Sequence, residues 1–393
     1  MSTDREIIGG LYIHIPFCIK KCFYCDFFSI TDLSQQDSFL ASLKREIQLA
    51  GQNPLTFDTL YIGGGTPSVL AAEAIGQIIA AAFRHFNIGP DAEITLEVNP
   101  ATVTLEDLKM YRNFGVNRLN IGVQSFHEEN LRFLGRIHSK SEALASLDWA
   151  RQSGFDNIGL DLIYGLPQQY EKNWLDDLKR AVQISPEHLS CYLLTRESGT
   201  PLDRHVRSGR IRLPADDILQ RLFEITINYL INHNFLHYEV SNFVRKTEDG
   251  RDCWKSRHNL KYWSFAPYIG LGPSAHSYLE AVRYWNHRSV EKYTRDIRKG
   301  KLPISEKEKL SREQMFMEAV YLRFRTTRGI ELADFKNRFG MDFLEAYNET
   351  IKNFKKDDLL EVTKTHCRLT RKGMVLLDSI TAAFTNQDMP ANQ

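Results

Sequence analysis

Three cysteines, Cys18, Cys22 and Cys25, stand within eight residues in a C-x3-C-x2-C spacing. The other three, Cys191, Cys253 and Cys367, are scattered singly. A disulfide framework spreads its pairs through a small secreted domain, and a 393-residue chain is not that. Three thiolates on one tight loop can instead reach three irons of a cubane cluster, leaving the fourth iron open. Zinc is the alternative, although a structural zinc wants four ligands and usually shows C-x2-C pairs. Three unrelated cysteines are the remaining reading. Cys191 and Cys367 lie in strand-like surroundings and read as small core residues.

Three further features carry polar chemistry. Gly63-Gly64-Gly65-Thr66-Pro67 follows a short β-rich run, and three glycines permit positive φ and close approach of main-chain atoms to a small polar group. Asp161 interrupts the apolar run 158–163, where a buried carboxylate is costly unless paired. Glu97 ends another such run, at a position poorly suited to a core and well suited to a site.

These residues need a scaffold. Strands are expected at Leu11–Ile15, Thr59–Ile62, Ile94–Val98, Arg118–Val123, Ile158–Ile163 and Leu189–Leu194. Phe39, Leu43, Ile47 and Ala50 recur at the spacing of one helix face, and further helices are expected near 70–86, 104–113, 141–153, 173–183 and 216–233. Six strands alternating with helices imply an α/β fold with parallel pairing, a layer or partial TIM-like (β/α)6 barrel over residues 1–235, whose site lies at the strands' C-terminal ends. Residues 236–308 form a bridging region rich in aromatic residues and glycine, with no clean period. Residues 309–393 read as a small winged-helix-like domain, with a strand pair around Leu360–Leu369 and a helix capped by Thr370.

Composition bounds the partners. With 50 Lys+Arg against 49 Asp+Glu, binding to nucleic acid or anionic lipid by bulk charge is not expected. The terminal domain is nearly balanced too, unlike a winged helix built to grip DNA. The apolar stretch around Ala74–Phe83 falls far short of a membrane span, and the first residues show no basic-then-apolar run. A cytoplasmic protein without a transmembrane segment is expected.

The cysteine spacing, together with Tyr12–Cys18, Tyr61–Ser68, Asn117–Phe126, Leu134–Ser139 and Asp161–Pro167, resembles the radical S-adenosylmethionine (SAM) superfamily. Within it, these segments look like the oxygen-independent coproporphyrinogen oxidase family, over nearly the whole chain. The resemblance implies a radical SAM barrel holding one [4Fe-4S] cluster on Cys18, Cys22 and Cys25. Its open iron would be chelated by the amino and carboxylate groups of SAM. It carries Gly64, Gly65 and Thr66 toward the methionine amino group, Arg136 toward the carboxylate and Asp161 toward the ribose, with Glu97 and Gln124 completing the shell. Tyr12 and Tyr24 resemble positions that pack on SAM, or are ordinary core aromatics. His14 and His138 read as structural.

The oxidase branch carries a fourth cysteine two residues after the third, and here that position is Phe27. The departure counts against the decarboxylation of coproporphyrinogen and leaves enzymatic activity open. It resembles instead the heme chaperone branch, which binds heme and passes it to acceptor hemoproteins. His258-Asn-Leu-Lys-Tyr262-Trp263 matches the H-N-x-x-Y-W motif of that branch. An imidazole with flat aromatic neighbours (Tyr262, Trp263, Tyr268) suits a macrocycle. His258 is then a heme ligand, or it closes the barrel and hydrogen-bonds internally. His276 and Cys253 are rival axial ligands. An RNA-modifying radical enzyme is disfavoured by the charge balance.

Overall fold

A computed structural model describes residues 8–247 and 254–385. Six parallel strands form its centre: β1 (Ile8–Ile15), β2 (Thr56–Gly64), β3 (Asn87–Val98), β4 (Arg118–Gln124), β5 (Ile158–Tyr164) and β6 (His188–Leu193), hydrogen-bonded in chain order. Helices α1 (Gln36–Ala50), α2 (Ala72–His85), α3 (Leu105–Asn113), α4 (Glu128–Leu134), α5 (Lys140–Gln152) and α6 (Glu171–Ile184) supply the crossovers. The local chemistry explains where they start. Thr104 and Ser139 open α3 and α5 with capping boxes closed by Asp107 and Glu142, which satisfies N–H groups that a helix start leaves unpaired.

The two faces of this sheet differ in composition. Leu11, Ile13, Leu60, Ile62, Leu96, Leu119, Ile121, Leu160, Leu162 and Leu189 are fully buried in the main apolar core with the helices. The alternating positions carry Tyr12, Thr59, Tyr61, Thr95, Glu97, Arg118, Asn120, Asp161, His188 and Ser190. A closed (β/α)8 barrel fills its interior with branched apolar layers; this partial barrel is lined by polar groups and glycines. Cys191 and Cys367 are buried core residues.

Helices α7 (Pro201–Arg207) and α8 (Asp216–Asn232) follow β6, and then the bridging region joins the sheet at both edges. Strands β7 (Phe235–His237) and β8 (Asn242–Arg245) extend it beyond β6. After α9 (Arg257–Trp263), strand β9 (Tyr268–Leu271) pairs parallel to β1, and β10 (His276–Leu279), β11 (Val282–Asn286) and β12 (Ile304–Lys309) continue antiparallel, with α10 (Val290–Arg298) between the last two. The result is a 12-stranded sheet. The sequence shows no period here because most of these strands span only three to five residues, too few for a twofold alternation to register.

The C-terminal domain contains α11 (Arg312–Phe324), β13 (Ile330–Glu331), α12 (Leu332–Phe339), α13 (Phe343–Ala346), α14 (Asn348–Lys356), β14 (Leu360–Val362), β15 (His366–Leu369), α15 (Arg371–Val375) and α16 (Leu377–Thr385). Its three-stranded sheet, ordered β13-β15-β14, packs with helices around Phe316, Phe324, Phe343 and Phe384. Thr370 caps α15 through the Gly373 amide. Cation–π stacking of Arg338 on Phe265 and the Arg283–Glu318 ion pair join this domain to the large sheet.

Candidate functional site

The cysteine loop leaves the C-terminal end of β1. Cys18 is 9% exposed, Cys22 and Cys25 are half-buried, and a turn joins the last two through Cys25 N–H donating to Cys22 O at 3.3 Å. Thr66 Oγ1 donates to Cys18 Sγ at 3.4 Å and Arg136 Nη1 to Cys22 Sγ at 3.6 Å. Burial pushes the Cys25 thiol up to about 11. Among the described residues, no three Cys, His, Asp or Glu side chains converge as ligands of a single metal ion. A cubane spreads its thiolates over separate irons, so the donor set fits a cluster.

The glycine loop closes on the same place. Gly64 has φ +109°, and a Cβ there would stand 2.5 Å from His14 Nδ1; at Gly63 it would meet the Glu97 carboxyl at 2.8 Å. The loop's amides are already engaged. Gly64 N–H donates to Glu97 Oε2 at 3.1 Å, Gly65 N–H to Ile15 O at 2.8 Å and Thr66 N–H to Phe17 O at 2.7 Å. The polar atoms it can still offer are therefore carbonyl oxygens, which suit an ammonium donor rather than an anion.

Glu97 also accepts from Tyr61 OH at 2.7 Å, and burial pushes its carboxyl up to about 7. Asp161 Oδ2 accepts from Asn120 at 2.7 Å while its buried Oδ1 has no partner, and burial raises this carboxyl as well. Arg136 donates to Gly122 O at 2.7 Å and leaves a buried Nε without a partner. Gln124 ends β4 with φ +68°, a strained conformation for a residue with a Cβ and one that clusters at functional sites. Buried polar groups are nearly always paired; Asp161 within β5 and Arg136 just after α4 keep atoms open to a further partner, as do Thr95, Arg118 and His188 in the same interior. Tyr24 packs beside Leu134, Ile163 and Leu202.

Tyr12 OH contacts His14 Nδ1 at 3.0 Å, and His14 Nε2 meets Phe28 O at 2.8 Å. His138 meets Val123 O at 3.0 Å. Burial lowers both histidines to about 4, so they are neutral structural groups.

Of the heme candidates, His258 and Tyr262 meet each other in the barrel interior, and His276 stands on β10. His258 is 1% exposed, with Nδ1 on Thr59 Oγ1 at 2.8 Å and Nε2 on Tyr262 OH at 2.9 Å. Its ring stacks on Tyr61 at 5.1 Å, and burial lowers its pKa to about 3. Both nitrogens are occupied, so in this arrangement His258 has no lone pair free for an iron. Tyr262 is turned inward with it, and Trp263 lies under the Arg325 guanidinium at 4.8 Å. Only His276 is exposed. Cys253 lies outside the described residues.

Sequence reasoning missed Tyr61, Asn120 and Arg118. Arg118 is 1% exposed inside the barrel, with Nε and Nη1 unpartnered. The signal was present: Arg118, Asn120 and Gly122 alternate with Leu119, Ile121 and Val123, whereas a strand buried on both faces reads as continuously apolar.

Comparison with known proteins accords with this geometry. Residues 12–181 match the radical SAM superfamily and residues 310–376 the HemN C-terminal domain. A Mycobacterium tuberculosis protein named heme chaperone HemW is 35% identical over 377 residues, covering 94% of this chain and 93% of its own. The Bacillus subtilis protein of that name is 32% identical, covering 96% and 99%. Among solved structures, the Escherichia coli coproporphyrinogen III oxidase HemN, described as a radical SAM enzyme, superposes with a TM-score of 0.81 at 25% identity, covering 97% of this chain and 90% of that one. No helix among the described residues is long and apolar enough to cross a membrane. The chain belongs to the radical SAM superfamily and, within it, to the family of the heme chaperones named HemW.

Proposed function

We propose that this protein is a heme chaperone that binds heme and transfers it to acceptor hemoproteins. In this reading Cys18, Cys22 and Cys25 hold one [4Fe-4S] cluster. Glu97 and the carbonyls of the Gly64–Gly65 loop receive the amino group of SAM, Arg136 its carboxylate, and Asp161 its ribose, with Gln124, Thr66, Tyr12 and Tyr24 shaping the pocket. Such a cluster would supply one-electron chemistry and a binding place for SAM. The chain's own residues order the loop, keep Arg136 beside the sulfurs and present carboxylates to a cationic ligand.

The observation that carries the reading is the near full-length likeness to proteins named heme chaperone. Phe27 supports it: an exposed ring, 66% accessible, stands where the oxidase branch has its fourth cysteine. The rival reading, oxygen-independent coproporphyrinogen III oxidase, draws on the fold it shares with HemN. It would oxidatively decarboxylate propionates to vinyl groups through a 5′-deoxyadenosyl radical.

Anaerobic reconstitution followed by heme titration separates the two. The chaperone reading expects a saturable Soret difference band and no porphyrin product. Conversion of coproporphyrinogen to protoporphyrinogen with 5′-deoxyadenosine release, and no heme binding, would overturn it.

A further inference from the structure

Gln124, Arg136 and Asp161 converge on one glycine. A Cβ added at Gly122 would stand 2.8 Å from the Gln124 side-chain nitrogen and 3.3 Å from Arg136 Nη2, and Gly122 pairs in register with Asp161. The backbone that delivers Gln124 there is irregular. Pairing between β4 and β5 shifts register between Gly122 and Gln124, which leaves Val123 unopposed, and Gln124 follows at φ +68°. Bulges beside functional sites re-aim the side chains around them. A left-handed residue that carries a Cβ persists only where its surroundings hold it.

What holds it comes from the helix layer. Asp177 shares the buried face of α6 with Trp174, Leu178 and Ala181 and is 0% exposed. A carboxylate among such neighbours is costly unless its oxygens are used, and both are used on the two residues that follow Gln124. Phe126 N–H donates to Asp177 Oδ1 at 2.6 Å, and Ser125 Oγ donates to Oδ2 at 2.7 Å. The same hydroxyl accepts from His127 N–H at 3.1 Å and from Asn130 Nδ2 at 3.0 Å. On the near side of Gln124, Val123 O accepts from Ser125 N–H at 2.9 Å and meets His138 Nε2 at 3.0 Å. The cluster is not a nucleophile relay. Ser125 bonds the carboxylate directly, while the His127 ring meets Asn173 O at 3.1 Å.

We propose that Asp177 is a positioning residue for SAM: it clamps Ser125 and Phe126, and so fixes the left-handed turn that keeps the Gln124 amide beside Arg136 over Gly122. This deepens the SAM pocket of the reading above and rests on it. Asp177 itself lies outside that pocket, between α6 and the sheet. Its role passes through the backbone of two residues, and nothing in the amphipathic pattern of α6 announces it. The carboxylate reaches β4 from 51 residues further along the chain.

The test titrates SAM calorimetrically into the anaerobically reconstituted full chain. Asp177→Ala, Asp177→Asn, Gln124→Ala and the Asp177→Ala/Gln124→Ala pair are compared, with melting curves and iron content to establish that each is folded and loaded. Asp177→Ala is expected to bind SAM about tenfold more weakly. Asp177→Asn should recover most of that loss, because its oxygen still accepts from Phe126 N–H while its amide can donate to the Ser125 hydroxyl. The double variant should bind no more weakly than Gln124→Ala alone, since the clamp acts through Gln124. Wild-type affinity in Asp177→Ala, no recovery in Asp177→Asn, or losses that multiply in the double variant would each show a merely structural carboxylate and overturn the assignment. Should Asp177→Ala fail to fold, Ser125→Ala, which removes one of the two bonds, takes its place: about threefold weaker binding is expected, and unchanged binding overturns the assignment. A wild type that binds no SAM, or a Gln124→Ala variant that binds it unchanged, removes the SAM pocket itself and the clamp with it.

Discussion

The two ends of the barrel solve opposite problems with similar residues. At the floor, α9 lies against β1 and β2, and every polar atom of His258 is paired. The carboxylate of Glu93 accepts the Arg257 and His258 amides at 3.0 and 3.1 Å, and Ser256 caps the same helix. At the mouth, Asp161, Arg136 and Gln124 are enclosed but incompletely bonded or strained, and Phe27 is exposed. His258 is a polar group whose bonding is complete, whereas Asp161 and Arg136 keep buried atoms open to a further partner, as does Arg118 at the start of β4. Histidine, tyrosine and carboxylate occur at both ends, so residue type alone does not separate them.

The largest test of this contrast lies at the cysteines. Replacing Cys18, Cys22 and Cys25 together by Ala should abolish iron and sulfide incorporation while leaving the far-ultraviolet circular dichroism intact. Retained iron in the triple variant would remove the cluster from the mouth.

Next comes the floor. His258→Ala deletes a buried ring and strands Thr59 and Tyr262, which should cost about 2–4 kcal/mol of stability. Urea unfolding measures this, and a loss of heme affinity without a loss of stability would break the comparison.

A smaller effect is expected for Glu97→Gln. It preserves volume but places an amide donor where Tyr61 and Gly64 already donate, so SAM affinity should fall about tenfold. Calorimetry on the reconstituted protein reads this, and unchanged affinity would free Glu97 from the SAM pocket.

A pH-dependent effect concerns Glu46, a carboxylate completed by the protein itself. It accepts from Gly272 N–H at 2.7 Å, Asn286 at 2.7 Å and Tyr293 OH at 2.6 Å, yet burial pushes it up to about 7. A carboxyl whose folded pKa is raised holds a proton that the unfolded chain releases, so its contribution to stability is lost as pH rises from about 4.5 through about 7. The contribution of this group to stability should therefore fall steadily across that window. Urea midpoints for Glu46→Gln should vary less between pH 5 and 8 than those of the wild type; equal slopes would sink the assignment.

Much of the scaffold was legible because it rests on local rules. The six central strands and their helices follow from apolar periodicity and from caps such as Ser139 and Thr370, which act over three residues. The edges were not legible. Strands β9–β11 are short, and β9 pairs with β1 across more than 250 residues of chain, a choice no local pattern encodes. His258 shows the same limit at the site, since its partner Thr59 is distant in sequence.

By itself the sequence determined the cysteine spacing, the alternation that gives the barrel a polar interior, the glycines that tolerate close approach, and the replacement of a fourth cysteine by Phe27. All of these depend on residue identity and short spacing. Only the tertiary structure decided which polar groups are finished and which are not. It closed the ring of His258 between Thr59 and Tyr262, and left that of His276 exposed against Trp285. The reason is physical. A hydrogen-bond donor is satisfied by whatever atom the fold brings within about 3 Å, and that atom can come from any part of the chain.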